Sequence, residues 1–443
     1  MGSKIMKSIN SSNPNCFTIY AKGDNSYKTI TNLIRKDIHI TQLWVSNFQC
    51  FAIDINNSLL SWGLNDYYQL GNGTYMDYVF NQNNQEQSHD TFSYISWENT
   101  NSFLSNILTK PCLFPFLAKE VRHIECGDGF SFFLLKTGAL YSVGRNDKGQ
   151  LGIDLPFANA KLISCRKCLD RVSEVEYFKD NNLLVKSIKC GSDFCFALCD
   201  NGNYYSWGNN DHFQLCRETL NTFTPRPEKV KAFNEDNNIT NHKIEQLCLG
   251  WMHGVILTNN SIYIWGNPYY DYDNKYPDIK VPQLIINEDK NTIVRLQSGF
   301  HHVAYIAIVN KKYILKTFGA NDFGQLGYDS KDSVIIFPKV VNVNDNTQDI
   351  KEVYCGAFHT MLLLDNNEIW GFGQNDNGQV GDYNSEYITW PVKYNWKTDE
   401  NLTLHKIICA NASTVVIKKK QNVNDSTLNA FIPSEDNEEV LIN

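Results

Sequence analysis

A short glycine-framed motif recurs along this chain, and its recurrence limits the fold to an array of similar units. Its fullest copies run from Thr317 to Gly327 (TFGANDFGQLG) and from Ile369 to Gly381 (IWGFGQNDNGQVG). Others read Ser61-Trp62-Gly63-Leu64-Asn65-Asp66, Ser142-Val143-Gly144-Arg145-Asn146-Asp147 and Ser206-Trp207-Gly208-Asn209-Asn210-Asp211. Shorter forms are Ile264-Trp265-Gly266-Asn267 and, near the start, Tyr20-Ala21-Lys22-Gly23. The repeat glycines are therefore Gly23, Gly63, Gly144, Gly208, Gly266, Gly319 and Gly373. A period of roughly fifty residues denotes units that cannot bury their apolar faces alone and must stack.

A second motif precedes most of these. Its cleanest form is Cys355-Gly356-Ala357-Phe358-His359, with relatives at Cys126-Gly127, Cys190-Gly191, Gly250-Trp251-Met252-His253 and Ser298-Gly299-Phe300-His301-His302. Worn copies stand at Ser46-Asn47-Phe48 and Cys409-Ala410-Asn411. From Gly127 to Gly144, Gly191 to Gly208 and Gly356 to Gly373 the spacing is 17 residues, and from Gly250 to Gly266 it is 16. Between the two motifs lie an apolar run, a turn such as Asp200-Asn201-Gly202, and a second apolar run. That pattern predicts a β-hairpin.

Seven hairpin units predict an all-β, seven-bladed β-propeller. Trp62, Trp207, Trp265, Phe318 and Trp370 are expected to fill the space between blades. The chain opens with one hairpin strand, Cys16 to Lys22, and ends with another, Lys406 to Ile417. The N- and C-terminal strands are therefore expected to share one blade and close the ring, which removes two open sheet edges. The division is a tail over 1–15, the propeller over 16–420 with insertions at 73–115 and 153–184, and an acidic disordered tail over 421–443.

These motifs resemble the repeats of the RCC1 family, the regulators of chromosome condensation, over about residues 16–420. The resemblance implies an RCC1-like propeller and a protein-binding role. Family members include a guanine-nucleotide exchange factor for the small GTPase Ran, scaffolds, ubiquitin-ligase modules and a plant ultraviolet receptor. The exchange factor implies a Ran-type GTPase as partner, with acidic side chains weakening the grip on nucleotide and magnesium. Asp128 matches that role by its place in the motif, and Asp193 less closely. That exchange factor also carries a β-wedge after a Trp-Gly position. Here Gly144 runs straight into Arg145-Asn146-Asp147, leaving 73–115 and 153–184 to replace the wedge. The receptor's clustered tryptophan motif is approached once, at Gly250-Trp251-Met252-His253. The alternative function is a non-catalytic scaffold or adaptor for protein complexes.

Composition narrows the partners. The formal charge is −8, which opposes a mainly electrostatic hold on nucleic acid. Residues 1–15 carry only Lys4 and Lys7, which argues against chromatin tethering. No apolar run reaches the length of a membrane span. Thirteen cysteines, most of them at strand positions, fit a reducing compartment, so a cytoplasmic or nuclear monomer is expected. Cys165 and Cys168 lack the second pair that a zinc site needs.

No phosphate-binding glycine loop, nucleophile elbow or HExxH helix occurs, so no small-molecule catalytic site or cofactor is expected. His253, His302 and His359 recur at one repeat position, which favours a structural role over a metal site; His301 is the odd one out. Specificity is expected at the residues that vary on the fixed frame just after the second-motif glycine. These include Asp128, Asp193, Trp251, Phe300, His301 and Phe358 as partner-binding candidates. Lining of the channel, without a partner, is the alternative for some of them.

Overall fold

The computed structural model describes residues 17–23, 40–46, 49–54, 56–63, 65, 67–71, 116–153, 161–163, 166–217, 221–233, 243–269, 275–287, 292–330, 332–343, 349–381, 384–394, 402–410 and 412–420. Within them the chain forms seven antiparallel sheets, the blades of one propeller. Blade 1 holds Ile40–Val45, Gln49–Asp54 and Leu59–Gly63. The innermost strands of the next five blades are Val121–Gly127, Val185–Cys190, Gln246–Leu249, Thr292–Ser298 and Ile350–Cys355. Blade 7 is ordered Phe17–Gly23, Ser413–Lys420, Leu402–Ala410. The expected insertion at 73–115 and the tails at 1–15 and 421–443 lie outside the described residues.

Blade 3 shows why the sequence builds this unit. Its second strand, Phe194–Cys199, is apolar on both faces because blades cover it on both sides. Asp200-Asn201-Gly202 turns the chain, with Gly202 at φ +78°, and Gly202 N–H donates to Cys199 O at 3.0 Å. The outer strand, Phe223–Lys229, alternates in burial and carries Pro225 and Pro227. Proline on an edge strand removes donors that would recruit a foreign strand.

The core lies between blades. Trp207 packs edge-on against Phe132 and Phe178 at the blade 2–3 joint. Trp265 packs edge-on against Phe233 and tilted against Phe196 at the next joint. Each indole also donates to a carbonyl of the preceding blade: Trp207 Nε1 to Gln150 O at 3.0 Å and Trp265 Nε1 to Gln214 O at 2.9 Å. Phe318 and Phe372 are fully buried at the equivalent place. Trp370 sits two residues earlier in its strand, half-buried; it packs against the blade 5–6 core and donates to Glu368 at 3.1 Å.

Blade 7 closes the ring with seven register pairs, from Phe17 opposite Lys419 to Gly23 opposite Ser413. The stretch read as one strand, Lys406 to Ile417, is in fact two: Leu402–Ala410 and Ser413–Lys420 pair with each other across a tight turn. In its described part the 153–184 insertion forms a strand pair that runs past Arg145, the last residue of the third strand of blade 2. Arg166–Glu174 and Lys161–Ile163 become the fourth and fifth strands of blade 2. The short helix that follows, Glu176–Asp180, buries Phe178 in the core. Among the described residues, no helix is long and apolar enough to cross a membrane.

Candidate functional site

In blades 2 to 6 the glycine of the second motif stands at the end of the innermost strand and is covered by the side chain three residues later. A β-carbon on Gly250 would lie 2.1 Å from the ring of His253, and one on Gly356 would lie 2.1 Å from His359. Phe130 and Phe194 cover Gly127 and Gly191 in the same way. Gly250 N–H donates to His253 O at 2.9 Å, so the two residues between them are thrown outward as a loop tip. In blade 1 the glycine place is held by Ser46, whose N–H donates to Gln49 O at 3.0 Å.

The loop tips join into a belt around the channel mouth. Asp128 N–H donates to Ser192 O, Ser192 N–H to Trp251 O, Trp251 N–H to Phe300 O, and Phe300 N–H to Ala357 O, at 2.9 to 3.4 Å. Below the belt the innermost strands of all seven blades line one central channel, a cavity of about 540 Å³. The candidate residues after the glycines therefore sit on the rim at one end of this channel.

The first motif builds the loops flanking the belt. In five blades its Asn carboxamide accepts from the backbone five residues on, as Asn146 does from Leu151 N–H at 2.9 Å and Asn321 from Leu326 N–H at 3.0 Å. Its Gln accepts from the residue two before it, as Gln325 does from Phe323 N–H at 2.9 Å. These bonds fix the frame and leave one varying residue at each tip: Tyr67, Lys148, His212, Phe323 and Asn377. Sequence reading missed this second set, although the same signal, a variable position on a repeated frame, marks it. Of the repeat glycines, Gly144, Gly208, Gly266, Gly319 and Gly373 take positive φ. Gly319 has φ +112°, and a β-carbon there would lie 2.4 Å from His301 O.

Asp128 and Asp193 do not stand free. Both pair with Arg145, as does Asp147 at 2.7 Å; the Asp128 contact is 2.9 Å. Arg145 is only 4% exposed. Burial alone would lower its pKa, but the carboxylates of Asp193, Asp128 and Asp147 outweigh that and raise it. Three carboxylates on one guanidinium leave the rim of blades 2 and 3 net negative.

Trp251, Phe300 and Phe358 form an aromatic row across blades 4 to 6. Trp251 meets Phe300 at 4.4 Å between centroids, Phe300 meets Phe358 at 5.4 Å, and Phe323 joins at 5.0 Å from Phe358. All four rings are half-buried. His301 stacks on Trp251 but is itself buried, and burial lowers its pKa to about 4.

The recurrent histidines are structural. His302 Nε2 lies 3.0 Å from Thr360 Oγ1, whose own proton is donated to Gln325 O. The network therefore assigns the proton to Nε2, leaving Nδ1 against Gly299. His253 is held alike: its Nε2 lies 2.9 Å from Ser298 Oγ, which donates to Gly299 O. Burial pushes His253, His302 and His359 down to about 3, so each is neutral at ordinary pH. No group of three or more His, Cys, Asp or Glu placed to hold a metal occurs among the described residues.

Seven blades, each framed by these two glycine loops, define a repeat propeller with a loop-built rim. Models of the regulator of chromosome condensation (RCC1) repeat match residues 56–134, 137–198 and 317–363, and a second such model matches 121–150, 185–214 and 350–379. The chain belongs to the RCC1 repeat family. It is 24% identical over 311 residues to the ultraviolet-B receptor UVR8 of Arabidopsis thaliana, covering 69% of this chain and 64% of that protein. It is 25% identical over 332 residues to the probable E3 ubiquitin-protein ligase HERC4 of Homo sapiens, covering 63% of this chain and 30% of that one. The chain thus spans less than two thirds of these relatives. Prp20p of Saccharomyces cerevisiae shares the fold, with a TM-score of 0.66 at 18% identity over 94% of each chain.

Proposed function

We propose that this chain is a protein-docking propeller whose working surface is the belted rim at one end of the channel. One observation carries the reading: side chains of different chemistry, acidic on blades 2 and 3 and aromatic on blades 4 to 6, stand on a backbone frame that is the same in every blade. A rigid frame with varied tips is how repeat scaffolds place specificity.

The finer proposal is that the partner is a small GTPase of the Ran type and that docking accelerates its nucleotide release. Support comes from the shared fold with Prp20p, a protein described by its binding to Gsp1p and histones. A scaffold without exchange activity is the second reading, favoured by one specific feature: Asp128 and Asp193 are engaged by Arg145 and so compete poorly for a magnesium ion. The test is release of fluorescent GDP from Ran of the same organism, with catalytic amounts of the full chain. Acceleration that Trp251→Ala abolishes supports exchange through this rim. Absence of acceleration by folded protein removes the exchange reading and leaves the scaffold.

A further inference from the structure

The rim has two arcs whose chemistry specifies what can lie across it. On blades 2 and 3 the Arg145 guanidinium is buried beneath Asp128, Asp147 and Asp193, whose side chains are 35%, 27% and 19% exposed. The arc therefore shows solvent an excess of carboxylate. On blades 4 to 6 the rings of Trp251, Phe300, Phe358 and Phe323 form a continuous, half-exposed apolar strip. Asp322 and Asp376, both exposed, sit on the loops beside Phe323 and Phe358.

Three cations of the loops near the rim are already engaged. Lys148 pairs with Asp211 at 2.6 Å, Arg217 pairs with Glu228, and Lys275 lies over the ring of Tyr276. Charge complementarity then selects among occupants. Nucleic acid would meet carboxylates and is repelled. A second copy docking this same face by a twofold axis would bring like charges opposite, which is costly. A cationic segment gains twice: from the carboxylates, and from ring faces that attract ammonium and guanidinium groups. The apolar strip adds burial only for a segment that also carries apolar side chains.

We propose that the rim receives a Lys/Arg-rich protein segment carrying interspersed apolar side chains, its cations over the blade 2–3 arc and its apolar groups on the aromatic row. This rests on the reading of the rim as the docking surface and adds the chemistry of the partner.

The test uses the full chain and three fluorescein-labelled dodecapeptides: alternating Arg and Leu, alternating Arg and Ser, and alternating Glu and Leu. The expected result is that the Arg–Leu peptide binds about tenfold more tightly than the Arg–Ser peptide, that the Glu–Leu peptide does not bind, and that added salt weakens binding. The double variant Phe300→Ala, Phe358→Ala is expected to erase the tenfold preference for leucine. Asp128→Asn, an isosteric change at the most exposed carboxylate of the blade 2–3 arc that leaves Arg145 paired with Asp147 and Asp193, is expected to weaken both arginine peptides. Equal binding of the Arg–Leu and Glu–Leu peptides overturns the proposal. So does an Arg–Leu affinity unchanged both in the Phe300→Ala, Phe358→Ala variant and in Asp128→Asn. If a protein partner binds and loses affinity on Trp251→Ala while no arginine peptide does, the docking surface stands and the cationic-segment proposal falls.

Discussion

Arg145 meets three carboxylates from two blades while almost wholly removed from water. A buried charge is tolerable only while its partners remain, and removing one side of such a cluster leaves the rest uncompensated. Arg145→Met is therefore expected to cost about 3–5 kcal/mol, since Asp128, Asp147 and Asp193 are left facing one another. Urea unfolding of the variant measures this; an unchanged midpoint would show that the cluster adds nothing to the blade 2–3 joint. A second change, Asp193→Asn, is expected to restore part of the loss by removing one repelling charge. Sequence reading placed Asp128 and Asp193 on the right loops because loop position follows from spacing. It did not foresee their engagement, because the guanidinium comes from 17 residues away in one case and 48 in the other.

The repeating element is a loop locked by a glycine and a ring. Blades 2 and 3 use Phe130 and Phe194 for the ring, and blades 4 to 6 use His253, His302 and His359. The histidines add a bond to the next blade, such as His302 Nε2 to Thr360 Oγ1. Their buried rings favour the neutral form, so their folded pKa values, at about 3, lie below the ordinary 6.5. Between those values the unfolded chain binds more protons than the folded one, and stability then rises with pH. Thermal melting is expected to fall steadily as pH drops from 6.5 toward 3. His302→Phe is expected to flatten that decline, because phenylalanine fills the same place in blades 2 and 3 and does not titrate. A melting curve with the same pH slope in the variant would assign the decline to other groups. The recurrence of the histidines was plain in the sequence; their tautomer and their partners in the neighbouring blade were not.

At the scale of the whole molecule, closure is the feature on which stability turns. Strand Phe17–Gly23 is one edge of blade 7 and covers Ser413–Lys420. Deleting residues 1–24 exposes that strand's unpaired N–H and C=O groups and opens the ring at one joint. The truncated chain is expected to aggregate or melt well below the full chain. Normal solubility with an unshifted melting curve would mean that the ring does not depend on this strand.

The sequence by itself determined the number of blades, the hairpin in each, the shared terminal blade and the loops that form the rim. Each follows from local pattern: strand alternation, turn residues and glycines at φ > 0 are dictated by a few neighbouring residues and then repeated. The tertiary structure alone decided which rim residues stay partly exposed and which pair with one another. Trp251, Phe300 and Phe358 lie about fifty residues apart along the chain and become one strip only when the ring closes. Asp128 and Asp193 likewise come together only when blades 2 and 3 pack, joined by the belt and by the buried Arg145. Charge pairing and ring contacts between blades act through space at a few ångströms, and a chain read in one dimension carries the residues but not those distances.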